Sequence, residues 1–230
     1  MLPPYTKIKV NQNEVNLMKK IKLLFQGDSI TDAGRNRDDI HDLGTGYPKY
    51  TAELIAKAYP DVEFEFIDLG ISGNRTDQLF DRMYEDMILI EPDIVSILIC
   101  INDVWHRHSH CIETTDAQIA ANYRAILERL KRQTNAKIVI LAPFLLDDED
   151  KESWRAELDT ILPIVRTLAD EFADVYVPLD EHFAEALKTQ PEPRYYSPDG
   201  VHPNVNGAKF IAELYTKALR PVIDGLPEQT

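Results

Sequence analysis

The sequence predicts an α/β protein in which a mainly parallel five-stranded sheet lies between two helical layers, a three-layer α/β/α sandwich. Three observations support this prediction. Five short apolar runs recur along the chain, segments with helical periodicity lie between them, and the two kinds alternate to the end. Because no repeat, low-complexity tract or linker divides the chain, we expect one domain over 21–230, preceded by a polar N-terminal arm over 1–20.

The five predicted strands differ in their apolar pattern. The first, third and fourth are nearly continuous in apolar or β-branched residues, which is typical of strands covered on both faces. The second strand alternates between charged and apolar residues, which predicts an edge strand. The predicted strands lie at 21–26, 63–69, 93–100, 137–142 and 174–178.

Apolar residues at helical spacing predict the helices between these strands. Pro163 falls inside the third helical pattern, so we expect a kink or a break there. The histidine-rich segment after the third strand, 106–111, is predicted to be a surface loop. The predicted helices cover 47–59, 116–132, 152–173 and about 204–219.

Composition narrows the possible partners. With 25 basic and 39 acidic residues, the formal net charge is −14, which disfavours binding to nucleic acid or to an anionic membrane surface. The longest nearly apolar run, 94–101, is too short to span a bilayer. Two cysteines, Cys100 and Cys111, give no disulfide framework, and the residues before Gly27 contain no apolar core of signal-peptide length. We therefore expect a soluble, cytoplasmic protein.

Polar side chains follow the predicted strands at their carboxyl ends, where ligands bind in parallel α/β sheets. Asp28-Ser29 follows the first strand, 72–75 follows the second and Asn102-Asp103 follows the third. Asp199 and His202 lie in a loop just before the last helix. We expect these four segments to meet at one rim of the sheet.

These residue types suit nucleophilic catalysis. A serine needs a base to take its proton, and His202 can be that base for Ser29. Asp199 can orient the imidazole and stabilise its charged form. Donors for an oxyanion are the backbone N–H of Ser29, the backbone N–H of Gly73 and the side-chain amide of Asn102.

Each residue also has a structural interpretation. Ser29 could cap a helix, Gly73 could serve a turn, and Asp199-Gly200 is an ordinary turn pair. Asn102-Asp103 could cap the next segment. Because these segments occur together and in this order, we favour catalytic roles for Ser29, Gly73 and Asp199. For Asp103 we favour a structural role.

Three further residues are candidate substrate contacts. Asp28 adjoins Ser29. Arg75 lies two residues after Gly73, and it could instead be a surface charge at the start of a helix. Trp105 lies just beyond Asn102, and its indole could stack on a sugar ring or pack as a partly buried side chain.

The four blocks resemble those of the SGNH hydrolase family, also called GDSL esterases. Residues 27–29 match the block with the nucleophile, 72–74 the glycine block, 100–103 the asparagine block and 199–202 the block with the aspartate and histidine. The resemblance implies a flavodoxin-like fold, a Ser29–His202–Asp199 triad and oxyanion donors at Ser29, Gly73 and Asn102. One departure is Cys100, which stands where the family pattern has glycine.

Within the family, residues 25–35 and 101–106 look most like carbohydrate deacetylases, in particular acetyl xylan esterases. The resemblance implies a carboxylic ester hydrolase that removes short acyl groups, above all acetyl, from sugars such as acetylated xylo-oligosaccharides. It implies no cofactor. Two alternatives stay open: a lipase or acyl-thioesterase of the same family, and a carbohydrate-binding protein that has lost turnover.

The family resemblance does not explain two features of the sequence, the alternating histidines and the N-terminal arm. His106, His108 and His110 alternate in a way that can bind zinc, but no second group of spaced ligands accompanies them, so we expect no metal. In the arm, Ile8 and Val10 alternate with polar neighbours as in a strand. We expect the arm to pack on the outside of the domain or on a second subunit, and a homo-oligomer is an open possibility.

Overall fold

The computed structural model describes residues 20–146 and 149–226. Its sheet has five strands, all parallel, in the order β2-β1-β3-β4-β5, so the predicted edge strand does lie at an edge. The predicted fold class is confirmed. The strands are β1 Lys20–Gly27, β2 Glu63–Asp68, β3 Ile94–Leu98, β4 Lys137–Leu141 and β5 Val175–Val177.

Helices cover both faces of the sheet. One outer layer is α2 packed on α8, and the other runs from α3 through α5 to α6. A π-helical stretch, Tyr84–Ile88, continues α3, and short 3₁₀ turns lie at Glu149–Lys151 and Pro193–Tyr195. The helices are α1 Ser29–Asp32, α2 Tyr47–Ala58, α3 Thr76–Met83, α4 Ile101–His110, α5 Asp116–Gln133, α6 Glu152–Phe172, α7 Leu179–Ala186 and α8 Val205–Gly225.

The core on the α2–α8 side is built around Phe25 of β1. Its ring meets Tyr47 of α2 at 5.9 Å and Tyr215 of α8 at 6.0 Å, both edge to face. All three rings are at least 99% buried, with exposed fractions of 0%, 1% and 0%. Edge-to-face packing of buried rings stabilises the layer that fixes the strand immediately before Ser29.

Two helix predictions need correction, and a third is narrowed. At Pro163, where we expect a kink or a break, α6 continues without a break. Ile161 and Val165, on either side of the proline, are buried, and this packing offsets the lost hydrogen bond. The last helix continues past 219 to Gly225. His106 to His110 belong to α4 and not to a loop, because Ile101 and Val104 give this segment a buried helical face.

The N-terminal arm predicted over 1–20 lies, apart from Lys20, outside the described residues. In the part of the chain that the structure describes, no helix combines the length and the apolar character needed to cross a bilayer.

Candidate active site

Ser29 stands at the sharp turn where β1 ends. A Cβ on Gly27 would lie 2.3 Å from the carbonyl oxygen of Leu98 on β3, so only glycine lets the two strands approach here. Asp28 then caps the four-residue helix α1 by accepting from the Ile30 N–H at 3.0 Å. Ser29 is therefore the first residue of this helix and not its cap, and its half-buried side chain sits at the sheet's carboxyl edge.

A chain of short hydrogen bonds joins the serine to the loop before α8. Ser29 Oγ lies 2.9 Å from His202 Nε2, and His202 Nδ1 lies 2.7 Å from Asp199 Oδ2. The other oxygen of Asp199 accepts from the backbone N–H groups of Val201 at 3.0 Å and His202 at 2.8 Å. The structure thus brings together three residues that are up to 173 positions apart in sequence.

The electrostatics of the pair suit a base held by a carboxylate. Burial opposes ionisation of Asp199, but hydrogen bonds from His202 and from two backbone N–H groups outweigh it and hold the pKa of the carboxyl well below its usual range. The hydrogen bond to Asp199 raises the pKa of the His202 imidazole above 6.5, against partial burial. Asp199 is thus an anion that favours the protonated imidazole.

Two other segments, the loop before α3 and the start of α4, bring hydrogen-bond donors to the same rim. Gly73 has a φ of 84°, and its backbone N–H makes no hydrogen bond with any described residue. Apart from Gly73 and its two chain neighbours, no described atom lies within 4 Å of the place where its Cβ would be, so the space beside this turn is open to a ligand. Asn102 donates through Nδ2 to the Asn74 carbonyl at 3.1 Å, which fixes the amide and leaves its second N–H available.

Cys100 has a φ of 98° and is completely buried. A side chain there stands in a conformation that favours glycine, because the Cβ crowds the backbone when φ is positive. The turn that presents Asn102 is formed nonetheless, with cysteine where the resembled family has glycine.

The three candidate substrate contacts differ in their surroundings. Asp28 is completely buried, so the structure offers it no route to a substrate, and its role is to cap α1. Arg75 is 9% exposed and donates to His106 Nδ1 at 2.9 Å and to Asp77 at 2.9 Å. Trp105 is half-buried, with its ring centroid 5.4 Å from that of His202.

Sequence reasoning missed the neighbours of Trp105. Trp154, at the start of α6, lies 5.0 Å from Trp105 between ring centroids. Lys151 Nζ lies 5.8 Å from the Trp105 centroid and 5.5 Å from the Trp154 centroid. Nothing in the sequence spacing of Trp105 and Trp154 indicates that the two side chains meet.

The histidine cluster is spread over α4. The rings of His106 and His110, one turn apart, have centroids 4.6 Å apart and planes tilted by 43°, whereas His108 Nε2 lies 2.9 Å from Glu157 Oε1. Among residues 20–146 and 149–226, no group of three or more histidine, cysteine or acidic side chains is arranged to hold a metal ion. The thiols of Cys100 and Cys111 are free.

Comparison with known proteins identifies the family of this chain. A model of the GDSL-like lipase/acylhydrolase family matches residues 25–210. An acetylxylan esterase from Geobacillus stearothermophilus is 34% identical over 205 residues, which cover 86% of this chain and 93% of that protein.

Solved structures show the same architecture. Axe2, an acetylxylan esterase from Geobacillus stearothermophilus, has a TM-score of 0.79 and 32% identity, with 91% of this chain and 96% of that chain covered. A candidate GDSL-like lipase from Parabacteroides merdae has a TM-score of 0.83 and 35% identity, with 89% and 97% covered. Two further Axe2 structures are described as catalytic mutants, in which alanine replaces a serine or a histidine.

Proposed function

We propose that this chain, which belongs to the GDSL-like lipase/acylhydrolase family, removes acetyl and other short acyl groups from carbohydrates by way of an acyl-enzyme on Ser29. The chain is a carboxylic ester hydrolase. The hydrogen-bonded series Ser29–His202–Asp199 is the observation that carries the mechanism. The 34% identity to an acetylxylan esterase supports acetylated xylo-oligosaccharides as the substrate class.

Acylation begins with proton transfer from the serine. His202 Nε2, 2.9 Å from Ser29 Oγ, takes the hydroxyl proton as Oγ attacks the ester carbonyl carbon. The Asp199 carboxylate stabilises the imidazolium that forms and keeps the ring oriented. The imidazolium then returns its proton to the sugar oxygen as the carbon–oxygen bond breaks, which leaves the acyl group on Ser29.

The oxyanion of the tetrahedral intermediate needs donors that are already in place. The Ser29 N–H, the Gly73 N–H and the Asn102 amide belong to the segments that follow β1, β2 and β3, namely the start of α1, the loop before α3 and the start of α4. Because Asn102 is anchored by Asn74, its amide does not have to reorient when charge develops. In the second half of the reaction, His202 activates a water that attacks the acyl carbon, and the same donors serve again.

The two tryptophans favour a carbohydrate as the alcohol part of the ester. A half-exposed indole next to the base can stack on a sugar ring, and Trp154 supports Trp105 from the side. The acidic surface of the domain, with a net charge of −14, accepts a neutral glycan more readily than an anionic one.

Turnover of matched esters tests the proposal. We expect faster hydrolysis of acetyl than of octanoyl esters of one alcohol, and a higher kcat/KM for acetylated xylo-oligosaccharides than for simple alcohol acetates, with Ser29→Ala as the blank. Preference for long acyl chains would identify a lipase or acyl-thioesterase instead. A folded wild-type protein that no serine-reactive probe labels would identify a binding protein without turnover.

One variant separates the sugar contact from the chemistry. Trp105→Phe keeps an aromatic ring beside His202 but shortens the stacking surface. It should raise KM for acetylated xylo-oligosaccharides while leaving kcat/KM for a small aryl acetate near the wild-type value. Equal losses on both substrates would assign Trp105 to packing around His202.

A further inference from the structure

An open groove borders β2, whose outer edge lies on the side of the sheet away from β1. β2 is the last strand on that side among the described residues. The groove measures about 420 Å³, and its floor is the alternating run Glu63-Phe64-Glu65-Phe66. Phe64 and Phe66 stack at 5.4 Å and are only partly buried. Its remaining walls are Lys20, His41 and Leu43.

The backbone of this edge is covered at one end only. The Asp68 N–H donates to the Ile40 carbonyl at 2.9 Å, and the Phe66 carbonyl lies 3.0 Å from His41 Nδ1. Peptide groups of alternate strand residues point the same way, so those of Phe64 also point outward, away from β1. No described residue beyond the sheet hydrogen-bonds to the Phe64 peptide groups. This half of the edge can therefore pair with another strand.

The inner edge of β2 shows which sequence such a partner has. There Lys20-Ile21-Lys22-Leu23 pairs with Glu63-Phe64-Glu65-Phe66, residue against residue, so lysines lie beside glutamates and apolar side chains beside phenylalanines. Lys20 Nζ reaches Glu65 Oε2 at 3.2 Å. Cross-strand pairs of opposite charge and of apolar residues each stabilise a sheet.

The same pattern occurs once more in the chain, as Lys7-Ile8-Lys9-Val10, outside the described residues. We propose that residues 6–10 of the same molecule add to the outer edge of β2 as a sixth, antiparallel strand, with Ile8 opposite Phe64. This register sets Lys9 against Glu63 and Lys7 against Glu65. It also supplies partners for the outward peptide groups of Phe64 and covers both phenylalanines.

The direction of the added strand follows from the length of the connection. Residues 11–19 must return the chain to Lys20, and nine residues are fewer than the dozen or more that a parallel crossover needs. An antiparallel strand ends beside the start of β2, two strand spacings or about 10 Å from Lys20. Nine residues span up to about 30 Å, so this path is easily covered. The loop at Ile40 and His41 covers the other end of the edge.

Engineered disulfides in the full-length chain test the register. In the proposed pairing, Lys9 and Glu63 form a non-hydrogen-bonded pair with Cα atoms about 4.5 Å apart, within disulfide range. In a Cys111→Ser background, Lys9→Cys with Glu63→Cys should oxidise rapidly to an intramolecular bond. Lys9→Cys with Glu65→Cys, the pair that parallel docking would bring together, is the matched control and should lag at least tenfold behind. In strong denaturant the two variants should oxidise at similar rates.

Equal rates under native conditions, or a faster Glu65 variant, would overturn the proposal. Disulfide-linked dimers in dilute solution would overturn it too, because the groove would then hold the arm of a second copy. As a second measurement, deletion of residues 1–17 should speed hydrogen exchange at the Phe64 N–H at least tenfold while hydrolysis of a small acetate is unchanged. Unchanged exchange would show that the arm does not occupy this edge.

Discussion

Thr76 donates two hydrogen bonds to the buried carboxylate of Asp103. Its hydroxyl lies 2.8 Å from Oδ1 and its backbone N–H lies 3.1 Å from Oδ2. Thr76 begins α3, three residues after Gly73, and Asp103 is the neighbour of Asn102 on α4. The contact therefore fixes the relative positions of the loop before α3 and the start of α4, which carry the proposed donors Gly73 and Asn102.

Removal of the Thr76 hydroxyl should disturb catalysis through this contact. Thr76→Val keeps the backbone N–H but leaves Asp103 Oδ1 without that donor, at a cost of about 1–3 kcal/mol in the free energy of unfolding. If Asn102 shifts by a fraction of an ångström, kcat should fall by up to about a hundredfold with little change in KM. Thr76→Ser, which restores the hydroxyl, should recover most of both. Wild-type kcat in the valine variant would refute the link.

The proposed triad makes a graded kinetic prediction. Ser29→Ala and His202→Ala should each lower kcat by several orders of magnitude, and the double variant should be scarcely worse, because the two side chains share one proton transfer. Asn102→Ala should cost about a hundred- to a thousandfold, as for one oxyanion donor. Single-turnover rates measure this directly, and additive losses from Ser29 and His202 would contradict the mechanism.

The activity should depend on pH through His202. Because Asp199 raises the pKa of the imidazole above 6.5, and the base works only when neutral, kcat/KM should rise with pH through a midpoint above 6.5. Asp199→Asn removes the cause of the shift, so the midpoint should move to lower pH while the plateau falls. A pH–rate profile of both proteins with a neutral aryl acetate tests this shift. The same midpoint in both proteins would show that another group titrates.

Asp28 should make the stability depend on pH in the opposite sense to an ion-paired carboxylate. Burial raises its pKa from 3.8 to about 7, so the folded state prefers the protonated form, and stability is lost as the pH rises from about 4 to about 7. Asp28→Asn keeps an acceptor for the Ile30 N–H but cannot ionise. Relative to wild type, its free energy of unfolding should therefore improve by a few kcal/mol between pH 4 and pH 8.

Urea unfolding at both pH values measures this difference, and Asp38→Asn, which replaces a carboxyl at an exposed position, is the matched control. If the free energies of unfolding of wild type and Asp28→Asn change equally with pH, the Asp28 carboxyl is ionised without penalty in the folded state.

Cys100 offers a test of backbone strain beside the site. Cys100→Gly and Cys100→Ala both lose the buried sulfur, but only alanine keeps a Cβ at a φ of 98°. The glycine variant should therefore be the more stable of the two by about 1 kcal/mol, the cost of a left-handed conformation for a residue with a Cβ. Urea unfolding compares them, and a more stable alanine variant would show that the turn carries no such strain.

The architecture was predictable because its signals are local. Continuous apolar runs indicated strands covered on both faces, and the alternation in 63–69 indicated an edge strand, since each pattern reflects how many faces of one segment are buried. The helix α4 was missed because its polar histidines masked the short apolar spacing of Ile101 and Val104. The break at Pro163 did not occur, since packing of α6 against its neighbours outweighs one lost hydrogen bond.

The residue types of the site and their order along the chain were likewise set by the sequence, which placed Ser29, Gly73, Asn102 and His202 after the ends of strands or before a helix. Only the tertiary structure decided the distances between them, because Ser29 and His202 meet across 173 positions through the packing of the whole sheet. It also decided that Asp28 is buried and that Trp154 stands beside Trp105. Burial and long-range contact depend on which elements pack together, and no single segment contains that information.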